Sequence, residues 1–128
     1  MIIPAADNMG LCEEASGVRI PLASNVNDKG SLFAGSIFSG ATLAAYRATE
    51  RLFQSRGLTS ELVAKTATIH YLKRIVSDGF AIATPVSEPV LKPNGNTSVT
   101  MNVRVCDDTG VCGAELSAEF ILLRKKDG

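Results

Sequence analysis

Residues 25–35 read Asn25-Val26-Asn27-Asp28-Lys29-Gly30-Ser31-Leu32-Phe33-Ala34-Gly35, a polar loop that runs directly into an uncharged segment. No residue from Gly30 to Tyr46 carries a charge. That segment is too short and too rich in Gly, Ser and Thr to span a membrane. Its alanines favour a helix that packs closely, and the lack of charge indicates that the helix is buried. We predict a helix over residues 36–56, about 30 Å long, which ends at Gly57.

Strand patterns lie on both sides of this helix. Alternation or β-branched composition predicts strands at residues 17–22, 62–75, 80–86, 99–105 and 111–123. Short turn signals join the later strands, so we expect them to pair antiparallel. Residues 1–8 look like a loose lead-in, and residues 125–128 look like a solvated tail. The sequence therefore predicts an α+β chain with one antiparallel sheet curled around one long helix.

Two of these strands have clear alternation. On the third strand, the residues at every second position are Phe80, Ile82, Thr84 and Val86. On the fourth strand, they are Val99, Met101, Val103 and Val105. On the fourth strand, polar residues occupy the positions between the valines. This spacing indicates half-buried strands with one face on the helix.

Bulk properties limit the classes of function. The chain has 128 residues, which predicts a single domain over residues 1–128, and a net charge of zero, which gives no general attraction to nucleic acid or membrane. Three cysteines without metal-type spacing favour free thiols in a reducing compartment. The N-terminus lacks the pattern of a signal peptide, so we expect a cytoplasmic protein. One histidine cannot form a two-histidine metal site, and we predict no metal and no bound cofactor.

Small hydroxyl side chains form one stripe on the predicted helix. Spacings of four and three place these residues on one face: Gly35, Ser39, Thr42, Tyr46 and Thr49. The simplest interpretation is that the Ser and Thr side chains donate to the carbonyl four residues before them. The alternative is that the stripe lines a site.

The start of the helix could bind an oxyanion. Its first backbone N–H groups are unpaired and carry partial positive charge. Gly35 would let a carbonyl oxygen approach them, and the amides of Asn25 and Asn27 lie just upstream. The competing interpretation is that both asparagines only form turns and a helix cap.

The segment Pro21–Ser36, followed after the helix by Ile69–Ile75 and Asp78-Gly79, resembles hotdog-fold thioesterases. More closely, it resembles the thioesterase family found as the C-terminal domain of YiiD-type acyltransferases. The match covers about residues 9–125. The resemblance implies a sheet wrapped around a central helix, pairing into homodimers and often tetramers. It also implies an active site at the dimer interface for thioesters of coenzyme A or acyl carrier protein, whose 4'-phosphopantetheine arm leaves through a tunnel.

The resemblance also implies roles for individual residues. An Asn at the position of Asn27 and the backbone N–H of Gly35 would hold the thioester oxygen. The family's catalytic acid usually stands seven residues after that glycine, where this chain has Thr42. A threonine can orient water but cannot act as a general base near neutral pH. Asp28 is the nearest substitute acid, and a solvated loop acid paired with Lys29 is the simpler interpretation of it.

The missing acid leaves three functions open. The first is hydrolysis of an acyl thioester. The second is decarboxylation of a malonyl thioester to an acetyl thioester for fatty-acid initiation, which needs an oxyanion pocket but no general base. The third is a non-catalytic domain that binds acyl thioesters.

Other residues are candidates for substrate binding. They are Asn25, Phe33, Ser39, Tyr46, His70, Lys73 and Arg74. Lys73 and Arg74 could contact the phosphates of the carrier group, although a solvated strand end is the simpler interpretation. For His70, a structural role on its strand is the simpler one. We interpret Cys106 and Cys112, which flank a turn, as packing residues.

Overall fold

The computed structural model describes residues 2–125. Its elements are α1 (Pro4–Asn8), β1 (Cys12–Glu14), β2 (Gly17–Ile20), α2 (Leu22–Asn25), α3 (Ala34–Ser55), β3 (Leu62–Tyr71), β4 (Gly79–Pro85), β5 (Val90–Leu91), β6 (Thr97–Cys106) and β7 (Cys112–Leu122). The strands form one antiparallel sheet in the order β1-β2-β4-β6-β7-β3, and β5 pairs with β6. Because α3 packs against this curled sheet, the chain has the α+β hotdog fold that its sequence predicts.

The core lies between α3 and the sheet. The helix buries an apolar face whose members include Ile37, Ala41, Ala44, Ala45 and Phe53. The sheet meets it with the alternating set predicted for β6, since all four apolar residues there are buried and the residues between them face outward. Phe120 of β7 is also fully buried. Burial of this apolar surface is the main favourable term that holds the helix against the sheet.

Helix α3 begins at Ala34, two residues before its predicted start, and ends at Ser55. Gly57 has φ +70°, and its N–H donates to Gln54 O at 3.0 Å. The next N–H, of Leu58, donates to Phe53 O at 3.0 Å. These bonds satisfy carbonyls of the last turn, so the predicted glycine stop is confirmed.

The alternation on β4 does not mark its core face. Gly79 and Ala81 are buried, whereas Ile82 is 49% exposed and Val86, just after the strand, is 61% exposed. A Cβ on Gly79 would approach a side-chain carbon of Leu32 to 2.9 Å. Only small residues fit on the inner face here, because the chain from the loop before α3 lies so close. The larger apolar side chains therefore point outward.

Three short elements were not predicted. The described part of residues 1–8 is not a loose lead-in, because Pro4–Asn8 is helical and Ile3, Ala6 and Met9 pack against the core. Proline at the first helical position presets the backbone for this turn. Strand β5 pairs with β6 across the turn at residues 92–96, and the N–H of Leu22 at the start of α2 donates to Asp78 Oδ1 at 2.9 Å. Lys125 is exposed, and the rest of the predicted tail lies outside the described residues.

The last hairpin places two cysteines side by side. Cys106 pairs with Cys112 across β6 and β7, and both are free thiols that are half-buried. Burial raises the pKa of the Cys106 thiol. The carboxylate of Asp107 accepts bonds from Thr109 and Val111 in the turn between them. This environment is consistent with the packing role expected from the sequence.

Candidate active site

Asn27 builds the loop that precedes α3. Its Oδ1 accepts the N–H of Lys29 at 2.8 Å and that of Ser31 at 3.0 Å. Its Nδ2 donates to Ser31 Oγ at 2.9 Å. The side chain therefore closes its own turn, as the simpler interpretation of the sequence expected. One of the two Nδ2 hydrogens is left for a ligand.

Three further contacts fix the start of α3. The N–H of Phe33 donates to Asn25 O at 2.8 Å, and the N–H of Leu32 donates to Ile75 O at 2.9 Å. The hydroxyl of Tyr71 donates to Ala34 O at 2.9 Å. Burial raises the pKa of Tyr71 above its ordinary value, so the phenol keeps the proton that it donates. The loop, β3 and the first helical turn thus hold one another in place.

The helix start offers free backbone donors. No side chain caps it, and the N–H groups of Ala34 and Gly35 have no acceptor among residues 2–125. In a helix as long as α3, these N–H groups carry partial positive charge. The ring of Phe33, 56% exposed, lies over Gly35, where an added Cβ would meet it at 2.6 Å. The absence of a side chain at Gly35 leaves room for this ring beside the backbone N–H.

The hydroxyl stripe on α3 divides into two kinds of residue. Ser39 Oγ donates to Gly35 O at 2.9 Å, and Thr49 Oγ1 donates to Ala45 O at 2.7 Å. Both side chains bond within the helix, as expected for small hydroxyl residues. Thr42 differs, because its Oγ1 is buried and has no partner within residues 2–125. A buried hydroxyl without a partner indicates a site for water or a ligand.

Thr42 faces a cavity of about 260 Å³, which we call the helix cavity. Five residues of α3 and five from the N-terminal segment line it: Phe38, Ser39, Thr42, Leu43 and Tyr46, and Ile3, Ala5, Ala6, Met9 and Leu11. The lining is apolar except for its hydroxyl groups. Its size and chemistry fit a small apolar ligand.

A second depression, the basic groove, has a volume of about 400 Å³. It is lined by Asn27, Lys29, Ser31, Leu32, Ala34, Ile37 and the segment Tyr71–Ile75. Lys29, Lys73 and Arg74 make its rim cationic, and none of the described residues that line it carries a carboxylate. The groove therefore suits an anionic group such as a phosphate.

The structure separates the predicted site residues into two sets. Asn27, Lys73 and Arg74 line the groove, whereas Ser39, Thr42 and Tyr46 line the helix cavity. The two sets lie on different faces of α3. Along α3 the two linings adjoin at Ile37, which belongs to the groove, and Phe38, which belongs to the cavity, whereas Gly35 belongs to neither lining.

Asn25 lines neither space. It is 4% exposed, and its Nδ2 donates to Met9 O at 2.8 Å and to Pro21 O at 2.9 Å. Ser24 Oγ also donates to Met9 O, at 3.1 Å. These bonds hold the N-terminal segment against the helix. Asn25 therefore acts on the cavity by holding one of its walls.

Asp28 and His70 lie outside both spaces. The Asp28 side chain is 83% exposed and pairs with Lys29 at 3.4 Å. His70 is exposed on β3 and lies opposite Glu115 of β7. Neither position offers the burial that would tune a catalytic group. The simpler interpretations of these two residues fit their surroundings.

Sequence reasoning missed the residues that close the helix cavity from the N-terminal side. Ile3, Ala6 and Met9 are spaced by three, which is a helical signal that a loose lead-in would not show. Lys29, on the groove rim, was considered only as a partner of Asp28. These residues depend on how distant segments meet, which the local pattern does not show.

No helix within residues 2–125 combines the length and apolar character of a membrane span. No group of three or more His, Cys, Asp or Glu side chains there could hold a metal ion.

Solved structures with the same fold are numerous. A putative thioesterase from Shewanella oneidensis has a TM-score of 0.82 and 22% identity, over 94% of this chain and 88% of that one. A putative esterase from Mycobacterium tuberculosis has a TM-score of 0.81 and 15% identity, over 98% and 100%. A protein from Bacillus halodurans, solved with CoA, has a TM-score of 0.76 and 18% identity, over 96% and 78%.

Sequence identities this low show only that these three proteins share the fold of this chain. A search of curated proteins found no significant match. The family model described as "Putative thioesterase (yiiD_Cterm)" matches residues 2–124, nearly the whole chain. With this match and the hotdog fold together, the chain belongs to the putative thioesterase family of YiiD C-terminal domains.

Proposed function

We propose that this protein hydrolyses acyl thioesters of coenzyme A or acyl carrier protein. The observation that carries the proposal is the buried, unpartnered hydroxyl of Thr42 in an apolar cavity beside α3. The unpaired N–H of Gly35 lies about 10 Å from Thr42 along the helix axis and could donate to a carbonyl oxygen. An acyl chain would occupy the cavity, and its thioester would lie near the helix start.

The basic groove suits the carrier part of the substrate. Lys29, Lys73 and Arg74 can pair with phosphates, and phosphates occur both in coenzyme A and in the 4'-phosphopantetheine arm. Membership of the thioesterase family supports this assignment. The CoA in the Bacillus halodurans relative shows that a protein of this fold binds that molecule.

The protein would act mainly by stabilising charge. As water attacks the thioester carbon, negative charge develops on the oxygen, where the Gly35 N–H can donate to it. Within one chain Thr42 lies too far from the Gly35 N–H for both to act on one thioester, so the Thr42 that holds the attacking water would come from the partner protomer. Among residues 2–125 no carboxylate lines the cavity or the groove, so the proton of this water would pass to solvent and the carrier would leave as its thiol. We therefore expect hydrolysis to be slow unless an acid is introduced.

Decarboxylation of a malonyl thioester is the second candidate. The observation that favours it is the same lack of a carboxylate in both linings. The bond between the carboxylate carbon and the methylene carbon breaks, CO₂ leaves, and the electron pair of that bond forms the enolate of the thioester. The enolate oxygen would accept from Gly35 N–H, and a proton from water would complete the acetyl thioester.

We further propose that the working form is a homodimer that pairs along β3, and that two dimers can form a tetramer. β3 is the last strand of the sheet, so one of its edges is unpaired. Its residues from Ala64 to Thr68 are exposed on both faces. Long open edges are normally covered. Phe33, Tyr71 and Leu72 are also largely exposed beside the groove, where a second copy could bury them.

Such a dimer would bring the two sets of site residues together. The groove of one protomer could complete the helix cavity of its partner, because the sets lie on different faces of α3 within one chain. We place the protein in the cytoplasm, since the cysteines in residues 2–125 are free thiols.

Mass spectrometry of products tests the function. The protein is incubated with acyl-CoA and acyl-carrier-protein thioesters, malonyl included, beside a Thr42→Val control. Free acid and thiol support hydrolysis, and an acetyl thioester from malonyl supports decarboxylation. Binding without turnover would show a non-catalytic thioester sensor and would reject both enzyme assignments.

The variant Thr42→Asp separates the two enzymes further. It places a carboxylate where the family usually has its acid, so hydrolysis should increase if the geometry is that of a thioesterase. A folded Thr42→Asp protein that hydrolyses no faster would count against hydrolysis as the native reaction.

A further inference from the structure

We infer that Tyr46 sets the length of acyl chain that this protein accepts, by closing the helix cavity at one end. The inference rests on the proposed function, because it assumes that an acyl chain occupies that cavity.

Tyr46 separates two cavities. It lines the helix cavity, and it also lines a second space of about 360 Å³, which we call the rear cavity. The rear cavity lies toward the end of α3 and is lined in part by Glu50, Phe53, Leu58 and Leu62. The spacing of Thr42, Tyr46, Glu50 and Phe53 places all four on one face of the helix. The two cavities therefore follow one another along α3, with Tyr46 between them.

The ring of Tyr46 is held in position. It packs edge-on against the fully buried ring of Phe120, with centroids 6.1 Å apart and planes at 63°. The guanidinium of Arg47 lies 5.8 Å from its centroid on another side. Arg47 in turn pairs with Glu13 at 2.8 Å and with Glu50 at 3.1 Å. A ring supported in this way forms a fixed partition.

The two cavities differ in chemistry. The helix cavity is apolar apart from its hydroxyls, whereas the rear cavity includes the carboxylates of Glu50 and Glu61 beside apolar side chains. An alkyl chain that passed Tyr46 would gain contacts with Phe53, Leu58 and Leu62. Each buried methylene improves binding about fourfold, so opening the partition should favour longer chains.

The opposite wall allows the reverse change. Ala6 of α1 is half-buried and lines the helix cavity. A leucine there would fill part of the cavity and should favour shorter chains. Asn8 on the same short helix is exposed and does not line the cavity, so Asn8→Leu is a matched control.

The experiment measures kcat/KM for butyryl, octanoyl and lauroyl thioesters. We expect Tyr46→Ala to raise the ratio of lauroyl to butyryl at least tenfold relative to wild type. Tyr46→Phe keeps the ring and should leave the ratio within about twofold. Ala6→Leu should lower the ratio, and Asn8→Leu should not change it. If Tyr46→Ala does not melt cooperatively, Tyr46→Leu is measured in its place, with the same expected direction.

Failure of this inference can be distinguished from failure of the proposed function. If wild type hydrolyses thioesters and the folded Tyr46→Ala or Tyr46→Leu variant has the same lauroyl-to-butyryl ratio of kcat/KM, the inference is wrong and the function stands. If wild type turns over no thioester, the function fails. In that case, Kd values for non-hydrolysable thioether analogues of the same chain lengths are compared. An unchanged ratio of Kd values in the Tyr46 variant then overturns the inference as well.

Discussion

At the scale of single residues, the hydroxyl of Thr42 is the clearest indication of function. A buried hydroxyl that makes no hydrogen bond costs about 1–3 kcal/mol. Its neighbours Ser39 and Thr49 avoid this cost by donating to carbonyls in their own helix. Thr42 lies on the same stripe, yet it makes no such bond. The stripe therefore contains both hydroxyls bonded within the helix and one buried hydroxyl that has no partner within residues 2–125.

Thr42→Val is the first prediction. Valine keeps the shape and removes the unpartnered hydroxyl, so stability should stay equal or rise by up to about 1–2 kcal/mol. Turnover should fall, because no group remains to hold the water. Thermal melts and steady-state kinetics measure both effects. Thr49→Val serves as control, since it removes a satisfied hydroxyl outside the cavity and should lower stability without a selective loss of turnover. Unchanged kcat in Thr42→Val would remove Thr42 from the mechanism.

Asn27→Asp is the second prediction. The aspartate keeps the acceptor for the N–H groups of Lys29 and Ser31, and the Ser31 hydroxyl can rotate to donate to it. The loop should therefore fold normally, whereas Asn27→Ala would also disturb the loop. If the free Nδ2 hydrogen contacts the oxyanion, kcat should fall about a hundredfold or more, with little change in KM. A melting temperature near wild type with normal kcat would show that Asn27 is only a loop residue.

At the scale of elements, the contact between α3 and β2 limits how close the helix lies to the sheet. An added Cβ on Gly40 would approach side-chain carbons of Ile20 to 2.4 Å. Both residues are buried. Glycine in a helix interior lowers helix stability by about 1 kcal/mol relative to alanine. Here that cost is offset by the close contact between the helix and the strand. The contact sets the distance from the sheet to the helix that carries the hydroxyl stripe.

Gly40→Ala is therefore the third prediction. Overpacking should destabilise the protein by about 1–3 kcal/mol despite the gain in helix propensity. Denaturant unfolding measures the change. Ile20→Ala alone should cost about 2–5 kcal/mol. The double variant should be less destabilised than the sum of the two, because each change makes room for the other. Strict additivity would mean that the two side chains do not compete for space.

At the scale of the whole molecule, the main feature is the open edge of the sheet, where one side of strand β3 is unpaired. β3 pairs with β7 on one side only, and its central residues are exposed. An exposed edge of this length promotes association with other chains. Two-fold pairing of identical edges gives a closed dimer, which removes that risk.

Ala67→Lys is the fourth prediction. Ala67 is an exposed residue at the centre of β3. A lysine there would face its own copy across a two-fold axis, and like charges in that position oppose pairing. Light scattering should show dimers for wild type and monomers for the variant at micromolar concentration. Thioesterase turnover should fall with the dimer, because each site would lose its second half.

Asn102→Lys is the matched control, since Asn102 is exposed on the central strand β6, away from the edge. It should remain dimeric and active. A wild-type monomer in this measurement would reject the dimer proposal, and an active monomeric Ala67→Lys would reject the shared site.

The sequence alone determined the fold class, because two short-range patterns were strong. An uncharged, Ala-rich helix needs a covering sheet, and the alternation of Val99, Met101, Val103 and Val105 supplied a face for it. The glycine stop at Gly57 and the turn at residues 107–110 also depend on local backbone chemistry. The candidate roles of Asn27 and Gly35 came from the resemblance of residues 21–36 to thioesterases, and Thr42 was singled out because it stands where that family usually has its acid.

Only the tertiary structure decided how those residues are used. Local sequence favoured a solvated Asp28, but it could not show that Asn27 is bonded to Ser31 or that Thr42 has no partner within residues 2–125, because both depend on the surrounding chain. The N-terminal wall of the helix cavity and the outward side chains of β4 depend on how closely distant segments approach. Packing between segments decides burial, and burial decides which polar groups remain available for chemistry.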